Sequence, residues 1–347
     1  FEQLTGRRTM VDTFDRNFSH QVEHISLAQR ADLVIIAPAT ANVCAKLAHG
    51  LADDMLTTTV LACRCPKLIA PAMNTNMYEN PVTQDNLALL EKYGWEVISP
   101  ASGRLACGAV GPGKLPEPVD LLQHILRHLA LPHDLSGKRV LVSAGPTQEA
   151  IDPVRYLTNH STGKMGYALA RMAMLRGADV TLVSGPTAID PPPFLRTIPV
   201  VSAQDMYDAI SENAPQADFI FMAAAVADYT PTECADNKIK KKGGDMAIPL
   251  KRTQDILGFL GEHRTPGQIL CGFSMETQNM LENSRAKLSK KHVDMICANN
   301  LKVPGAGFGV DTNILTLITR DAVTELPKMS KEEAANAILD QALALMK

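Results

Sequence analysis

One loop in the second half of the sequence combines an anion-binding pattern with side chains that can do chemistry. The apolar residues 140–142 predict a buried strand that breaks at Gly145-Pro146, and Gly163 opens a helix rich in alanine, leucine and methionine. A strand, a glycine turn and a helix start place backbone N–H groups and the helix dipole against a phosphate. A bare dinucleotide turn needs only glycines, so we expect chemistry as well as binding here. The polar residues of this loop are Asp152, Arg155, Asn159 and His160.

Neither of the common phosphate-binding motifs is present at this loop. It contains no G-x-G-x-x-G, and no G-x-x-x-x-G-K-[ST] occurs in the chain. The alternative interpretation is an ordinary doubly wound domain with a long crossover loop, because a fold does not determine its function. The local pattern leaves both interpretations open.

Three further features of the second half suit an anionic ligand. Small residues follow the apolar run 219–222, where they let a backbone approach a ligand, and Asp228 after them can bind a ribose or a metal. The lysine-rich run that begins at Lys238 can neutralise a triphosphate, or it can be a solvated loop or a weak nucleic-acid patch. Lys287 and Lys291 share one face of a predicted helix, which suits a phosphate or simply a wet surface.

In the first half, polar residues follow two predicted strands. Asn74 lies in a loop directly after the strand 67–70, where it can hold a carboxylate or a ring amide. The alternative there is a polar turn with methionines that fill gaps. Thr40 and Asn42 stand where another strand enters a helix, so they can contact a cofactor or cap the helix, and the local pattern favours the cap.

Two isolated side chains of the first half are also reactive types. His24 lies at a predicted helix start, and a single histidine is more often structural than catalytic. Cys107 lies in a loop bounded by Gly103 and Gly108, where it can close over a site as a proton donor or remain an inert apolar group.

Short strands alternate with helices along the chain, and this alternation is typical of parallel sheets. Ser202 and Asp205 predict a capped start for a helix over 203–213. The segment 131–137 interrupts the alternation and is the best linker. We therefore predict an α/β fold with two successive doubly wound parallel-sheet domains, residues 1–130 and 138–347. The predicted strands include residues 33–37, 67–70, 140–143, 180–184, 219–222, 269–273 and 295–298.

Length and composition exclude several classes of protein. The chain has 347 residues, 46% of them hydrophobic and 20% charged, which allows two soluble domains. A net charge of −3 provides no field to recruit nucleic acid. No apolar run approaches the roughly 20 residues of a membrane span, and charges in the first 30 residues exclude a signal peptide. Seven scattered cysteines predict reduced thiols and a cytoplasmic location.

The first half resembles the flavin-dependent cysteine decarboxylases, specifically the phosphopantothenoylcysteine decarboxylase family. The resemblance rests on His24-Ile25, on the P-x-M-N-x-x-M run that contains Asn74, and on L-A-C-G around Cys107. It implies a flavodoxin-like fold in which His24 is a base, Asn74 holds the substrate carboxylate and Cys107 donates a proton. FMN would oxidise the substrate thiol so that CO₂ can leave. The implied FMN contacts are Thr40, Asn42 and Met73.

In that family the flavin site lies between subunits, which implies a homo-oligomer. The family's domain also opens with a strand and a glycine-rich turn that helps to bind the flavin phosphate. Residues 1–6 carry no capping or strand signal of a domain start. We therefore expect an N-terminal segment that is absent here, and weak FMN binding by the chain as written.

Nearly all of residues 135–347 resembles the phosphopantothenate–cysteine ligases of the CTP-using bacterial type. The shared motifs are A-G-P-T-x-E-x-I-D-P-V-R, N-H-S-T-G-K-M-G, A-A-V-A-D-Y and K-I-K-K. They imply a Rossmann-like domain that makes an acyl-cytidylate from 4′-phosphopantothenate and CTP with Mg²⁺, and then joins it to L-cysteine. Asn159 would steady this intermediate, and Lys238 would stabilise its formation. The implied CTP contacts are Met222, Ala223, Ala224, Asp228, Lys238, Gln254, Asp255, Ile256, Leu257, Phe273, Lys287 and Lys291.

Gln254 stands where that family usually has proline, so only a backbone contact is expected there. Together the two resemblances predict a bifunctional enzyme of coenzyme A biosynthesis. The C-terminal domain would make phosphopantothenoylcysteine and the N-terminal domain would decarboxylate it. The alternatives are a non-catalytic regulatory protein on the decarboxylase fold and an NAD(P)-dependent oxidoreductase. The His24, Asn74 and Cys107 set disfavours the first, and the missing dinucleotide motif disfavours the second.

Overall fold

A computed structural model of the chain describes residues 1–13, 22–104, 108, 110–241, 246–276, 279–300 and 309–346. The chain divides into two compact units, Phe1–Leu131 and Pro132–Lys347. Within the predicted linker, Leu135 is buried, and Asp134 forms an ion pair of 2.6 Å with Arg176. The second unit therefore includes the chain from Pro132 onward.

The first unit contains a parallel sheet of three strands in the order β1-β2-β3, and a separate antiparallel hairpin, β4–β5. Its strands are β1 (Val34–Ala39), β2 (Lys67–Pro71), β3 (Glu96–Val97), β4 (Ala101–Arg104) and β5 (Val110–Lys114). Its helices are α1 (Glu2–Thr5), α2 (Glu23–Arg30), α3 (Ala41–His49), α4 (Met55–Ala62), α5 (Thr75–Tyr78), α6 (Pro81–Lys92) and α7 (Pro118–Leu129).

Local capping starts the helices of the first unit, and apolar packing holds them against its sheet. The side chains of Thr40 and Asp54 accept hydrogen bonds from the first turns of α3 and α4. Ile69 on β2 and Leu90 on α6 are buried completely in one apolar cluster. The parallel sheet places the carboxyl ends of β1 and β2 at the same edge, where the loops with Thr40 and Asn74 begin.

The second unit contains a sheet of eight strands in the order β10-β9-β6-β11-β14-β15-β17-β18. The six strands from β10 to β15 pair in parallel, and β17 and β18 are antiparallel. The strands are β6 (Arg139–Ala144), β7 (Gln148–Ala150), β8 (Tyr156–Thr158), β9 (Asp179–Ser184), β10 (Arg196–Pro199), β11 (Phe219–Met222), β12 (Tyr229–Pro231), β13 (Leu250–Arg252), β14 (Ile269–Glu276), β15 (Met295–Asn300), β16 (Thr312–Asn313), β17 (Leu315–Thr319), β18 (Val323–Glu325) and β19 (Met329–Ser330). The helices are α8 (Lys164–Leu175), α9 (Ala203–Asn213), α10 (Ile256–Glu262), α11 (Met280–Lys290) and α12 (Lys331–Leu345).

The strand order reverses between β6 and β11. From β6 the chain moves outward to β9 and β10, and it then returns to β11 on the other side of β6. Connections that leave in opposite directions open a crevice at the carboxyl ends of these two strands, which is where doubly wound sheets bind ligands. Backbone hydrogen bonds join the two loops there, with the Ala225 N–H 2.9 Å from the Gly145 carbonyl.

The core of the second unit follows from continuous apolar strands. Phe219 and Phe221 on β11, Leu141 on β6 and Leu182 on β9 are almost completely buried, as expected for a parallel sheet covered on both faces. The predicted fold class is thereby confirmed. The antiparallel edge was not predicted. Within it, β18 is antiparallel to β17 because only residues 320–322 connect the two strands, and so short a connection reverses the chain.

None of the described helices has the length and apolar character of a membrane span.

Candidate functional site

The crevice of the second unit opens into a cavity of about 490 Å³, here called cavity 1. It is bounded by the end of β11, the loop after it, the segment before α10, and one face of α11. Small side chains follow β11 at this point, and Ala224 and Ala227 are among the lining residues. The lining residues are Met222, Ala224, Val226, Ala227, Asp228, Tyr229, Arg252, Thr253, Gln254, Asp255, Ile256, Leu257, Phe273, Lys287 and Lys291.

Thr253 bonds the loop after β11, which lines cavity 1. Its hydroxyl donates to the Ala227 carbonyl at 2.7 Å, and its backbone N–H donates to the Asp228 carbonyl at 3.0 Å. On the other side, the Ala227 N–H donates to the Thr147 hydroxyl at 3.0 Å. The loop of small residues is therefore held at both sides by threonines that the sequence analysis did not single out.

The charges of cavity 1 are arranged around α11. Lys287 Nζ donates to the Phe273 carbonyl at 2.9 Å, and Lys291 pairs with the Asp255 carboxylate. Burial alone would raise the pKa of Asp255, but the Lys291 ammonium and the Gly258 N–H hold that pKa below its ordinary value. The described lining residues include three cations, Arg252, Lys287 and Lys291. They include two carboxylates, Asp228 and Asp255, so the excess of positive charge suits a polyanion.

A second cavity of about 430 Å³, cavity 2, adjoins cavity 1. Both cavities are lined by Ala224, Val226, Asp228, Phe273 and Lys287, so they lie directly beside each other. The other residues that line cavity 2 are Asn159, Ser161, Thr162, Gly163, Lys164, Met165, Gly166, Ala223, Ala225, Ser274, Met275, Asn299, Asn313, Leu315 and Lys331.

Cavity 2 has the polar groups of an anion site. Gly163 caps α8 with a φ of 78°, a backbone conformation that favours glycine, and the amino end of the helix lines the cavity. Lys331 is 7% exposed, and burial together with the nearby Lys164 lowers its pKa. Asn299 Oδ1 is buried and has no hydrogen-bond partner among the described residues.

Asn159 follows strand β8 and lines cavity 2. Its Nδ2 donates to the Ala225 carbonyl at 3.0 Å and to the Val226 carbonyl at 3.4 Å. Asn159 thus lies against the loop that separates the two cavities. Lys331 and Asn299 line cavity 2 but were not among the contacts expected from the sequence. Asn299 lies near the carboxyl end of β15, a position that could have indicated it.

The structure brings most of the expected CTP contacts together in cavity 1, with two exceptions. Ala223 lines cavity 2 instead. Lys238 lines neither cavity and is exposed, on a loop whose next residue, Ile239, bonds to Asp152 and Arg155. Its contact with a nucleotide therefore stays a prediction. Among the described residues, no group of three or more His, Cys, Asp or Glu side chains is arranged to hold a metal ion.

In the first unit, the loops after β1 and β2 lie side by side. The Ala72 N–H donates to the Ala39 carbonyl at 2.9 Å, which places Thr40 and Asn74 at one edge of the sheet. The Thr40 hydroxyl accepts from the Val43 N–H at 3.3 Å, so this residue caps α3, as the local pattern favoured.

Met73 and Asn74 lie under the β4–β5 hairpin. The Met73 N–H donates to the Gly113 carbonyl at 3.0 Å, and the Asn74 side chain caps α5 by accepting from the Asn76 N–H at 2.9 Å. Asn42 is exposed on the first turn of α3. Thr75 Oγ1 is buried without a hydrogen-bond partner among the described residues. Several polar side chains therefore lie along this edge of the sheet.

The other two expected residues of the decarboxylase set are placed differently. His24 is half-buried in the first turn of α2, which packs against α4. Cys107 lies outside the described residues, between β4 and β5 in the sequence. The roles expected for His24, Asn74 and Cys107 stay predictions.

Gly113→Ala is expected to destabilise the first unit by about 2–3 kcal/mol. Gly113 has a φ of 134°, and a Cβ there would lie 2.2 Å from the Met73 carbonyl oxygen. Trp95 is the single tryptophan and lies in this unit, so its fluorescence during urea unfolding reports the change. Gly94→Ala is the matched control, because Gly94 also has a positive φ but no atom within 4 Å of its added Cβ. Equal losses in both variants would contradict the importance of the hairpin contact.

These features define a two-unit α/β protein whose second unit carries a polyanion cavity at the switch point of a doubly wound sheet. Residues 1–130 match the family described as Flavoprotein. Residues 135–346 match the DNA/pantothenate metabolism flavoprotein C-terminal domain.

Two known proteins are similar to this chain over almost its whole length, and one solved structure is similar over its second unit. The coenzyme A biosynthesis bifunctional protein CoaBC of Bacillus subtilis is 48% identical over 351 residues, covering 100% of this chain and 86% of that protein. A cysteine/cysteine sulfinic acid decarboxylase from an unknown prokaryotic organism is 42% identical, covering 99% and 97%. The solved C-terminal domain of a CoaBC protein has a TM-score of 0.52 at 44% identity, covering 61% of this chain and 97% of that one.

The chain belongs to the CoaBC family of bifunctional coenzyme A biosynthesis proteins. It is a bifunctional enzyme with ligase and decarboxylase activities, as the sequence analysis predicted.

Proposed function

We propose that the second unit joins 4′-phosphopantothenate to L-cysteine at the expense of CTP. The observation that supports the proposal is the pair of adjoining cavities at the switch point. Cavity 1 offers Arg252, Lys287 and Lys291 to a triphosphate. Cavity 2 offers the amino end of α8 and the buried Lys331 to a phosphomonoester. Two anionic substrates can thus meet where the cavities join.

The proposed chemistry takes place at that junction. A carboxylate oxygen of phosphopantothenate attacks the α-phosphorus of CTP, and the bond to the β-phosphate breaks to release pyrophosphate. The amine of cysteine then attacks the acyl carbon, loses a proton and releases CMP. Both steps need positioning and charge neutralisation more than a nucleophilic side chain. Lys287 lines both cavities, which is the position required to neutralise charge at the junction.

Mg²⁺ is proposed to accompany CTP. Hard cations of this kind prefer carboxylate, phosphate and water oxygens, and they keep several waters when they bind nucleotides. Asp228 lines both cavities and offers such an oxygen, so the residues present fit a metal that is held mainly by the phosphates. The cation would neutralise charge on the phosphates and on the departing pyrophosphate.

We propose that the first unit decarboxylates phosphopantothenoylcysteine with FMN. The flavoprotein match and the polar edge around Thr40, Asn42 and Met73 support this proposal. Bound FMN would supply the oxidation of the substrate thiol. Asn74 would hold the substrate carboxylate, for which its amide nitrogen is a suitable donor.

His24 is proposed to remove a proton from the substrate, and Cys107 to return one to the product. We further propose that the protein works in the cytoplasm, in accord with its seven scattered cysteines, and as a homo-oligomer, as the resemblance to the decarboxylase family implies.

The ligase proposal predicts a strict dependence on the substrate phosphate. Incubation with CTP, Mg²⁺, 4′-phosphopantothenate and cysteine is expected to release pyrophosphate and CMP in equal amounts. Pantothenate without its phosphate is expected to lower kcat/KM by roughly 10³-fold, because the charge-assisted contacts to the phosphate in cavity 2 are lost. A coupled pyrophosphate assay and chromatography of CMP measure both. Pyrophosphate release without added phosphopantothenate, or equal use of pantothenate, would contradict the proposal.

A further inference from the structure

An ion pair between the buried Asp152 and the partly exposed Arg155 lies at the tip of the β7–β8 hairpin, and the chemistry proposed above does not use it. Asp152 is 2% exposed. Its carboxylate accepts from the N–H groups of Val154 and Arg155, both at 2.9 Å. The Arg155 guanidinium also donates to Asp152 Oδ2, from Nε at 3.0 Å and from Nη2 at 2.5 Å. The guanidinium and the backbone N–H groups hold the pKa of Asp152 well below its ordinary value despite burial, so the carboxylate is charged at neutral pH.

The same pair holds the backbone of a distant loop. The Ile239 N–H donates to Asp152 Oδ2 at 3.1 Å, and the Ile239 carbonyl accepts from Arg155 Nη2 at 3.0 Å. The ion pair thus bonds both the backbone N–H and the backbone carbonyl of Ile239. Ala235, earlier in this loop, donates to the Ile151 carbonyl at 3.0 Å. The loop is therefore tied to the hairpin tip, while the adjacent Lys238 side chain is exposed.

We propose that Asp152 and Arg155 are positioning residues that hold the loop so that Lys238 reaches CTP phosphates in cavity 1. The inference rests on the proposed function, in which Lys238 stabilises formation of the acyl-cytidylate. The Arg155 fork contacts the carboxylate through two nitrogens, Nε and Nη2, while Nη2 also bonds the Ile239 carbonyl, and a lysine with one nitrogen cannot reproduce this geometry. The hairpin that carries the pair continues through β8 into Asn159, so one element positions both expected ligase residues.

Asp152→Asn is expected to lower kcat for pyrophosphate release by about 10²-fold, because a displacement near 1 Å costs that much at a reacting centre. KM for CTP is expected to stay near its wild-type value, since the cavity 1 residues are untouched. In a Lys238→Gln background the same substitution should cost nothing further, because its effect passes through Lys238. Equal losses in both backgrounds would show a merely structural role and overturn the inference.

Limited trypsin digestion tests the anchoring without activity. Cleavage after Lys240 and Lys241 is expected to be faster in Asp152→Asn than in wild type. Arg155→Lys should show the same lower kcat and the same faster cleavage as Asp152→Asn. Asp134→Asn is the matched control, since it removes an arginine ion pair elsewhere in the unit and should change neither kcat nor loop cleavage. Unchanged cleavage in both hairpin variants would overturn the inference. Absence of pyrophosphate release in wild type would instead contradict the proposed function itself.

Discussion

Replacing Lys238 by glutamine is expected to slow pyrophosphate release by about 10²–10³-fold, the cost of losing a charge-assisted contact made mainly in the transition state. Attack on the α-phosphorus increases negative charge on the phosphates, and a lysine that arrives from the anchored loop would neutralise it. The fold should be unchanged, because the Lys238 side chain is exposed and only the backbone beside it is bound. Steady-state kinetics with CTP and phosphopantothenate measure the effect.

Lys240→Gln is the matched control for Lys238→Gln. Lys240 belongs to the same lysine run, is also exposed, and lies on the other side of the anchored Ile239. It is expected to keep nearly full activity, which would separate a specific contact from the general charge of the loop. Wild-type rates in Lys238→Gln, or equal losses in the two variants, would show that Lys238 has no particular role.

Asn159→Asp is expected to bind CTP normally and yet lower the overall turnover by roughly 10²–10³-fold. Asn159 lines cavity 2 but not cavity 1, so the CTP contacts stay in place. A carboxylate there loses the amide donor and faces the Ala225 and Val226 carbonyl oxygens, which repel it. It also places a negative charge beside an anionic intermediate. Rapid-quench analysis should therefore show that the acyl-cytidylate accumulates or that its conversion stalls.

Asn213→Asp controls for the chemical change itself. The Asn213 amide also donates to a backbone carbonyl, that of Ala209 at 2.8 Å, but on helix α9. This variant should retain the wild-type rate. If Asn159→Asp loses CTP affinity while its turnover at saturating CTP is normal, Asn159 contacts the nucleotide rather than the intermediate.

Much of the secondary structure could be predicted because its causes are local. Strand β11 has the predicted bounds, since four consecutive apolar residues form it between polar or small neighbours. Helix α9 also has its predicted bounds, and its capping box joins Ser202 and Asp205 as expected. Each of these signals involves residues only a few positions apart, so it can be recognised in the sequence alone.

The elements that were missed depend on contacts made elsewhere. Helix α4 has a nearly uniform apolar and threonine composition without a helical period, and it is fixed by the Asp54 cap and by burial. Strand β5 reads Val-Gly-Pro-Gly-Lys, a composition typical of a turn. It becomes a strand because it pairs with β4 and because its Gly113 carbonyl accepts the Met73 N–H.

The sequence by itself determined the alternation of strands and helices, the motifs of both activities, and the family. Apolar runs, caps and motifs are properties of neighbouring residues, and they can be recognised without a structure. Only the tertiary structure decided which loops meet. Cavity 2 with Lys331, the threonine support of cavity 1, and the bond from Ile239 to Asp152, 87 residues apart, depend on strand order and register. Hydrogen bonds between distant segments leave no periodic trace in the sequence, because their geometry is set by the sheet that brings the segments together.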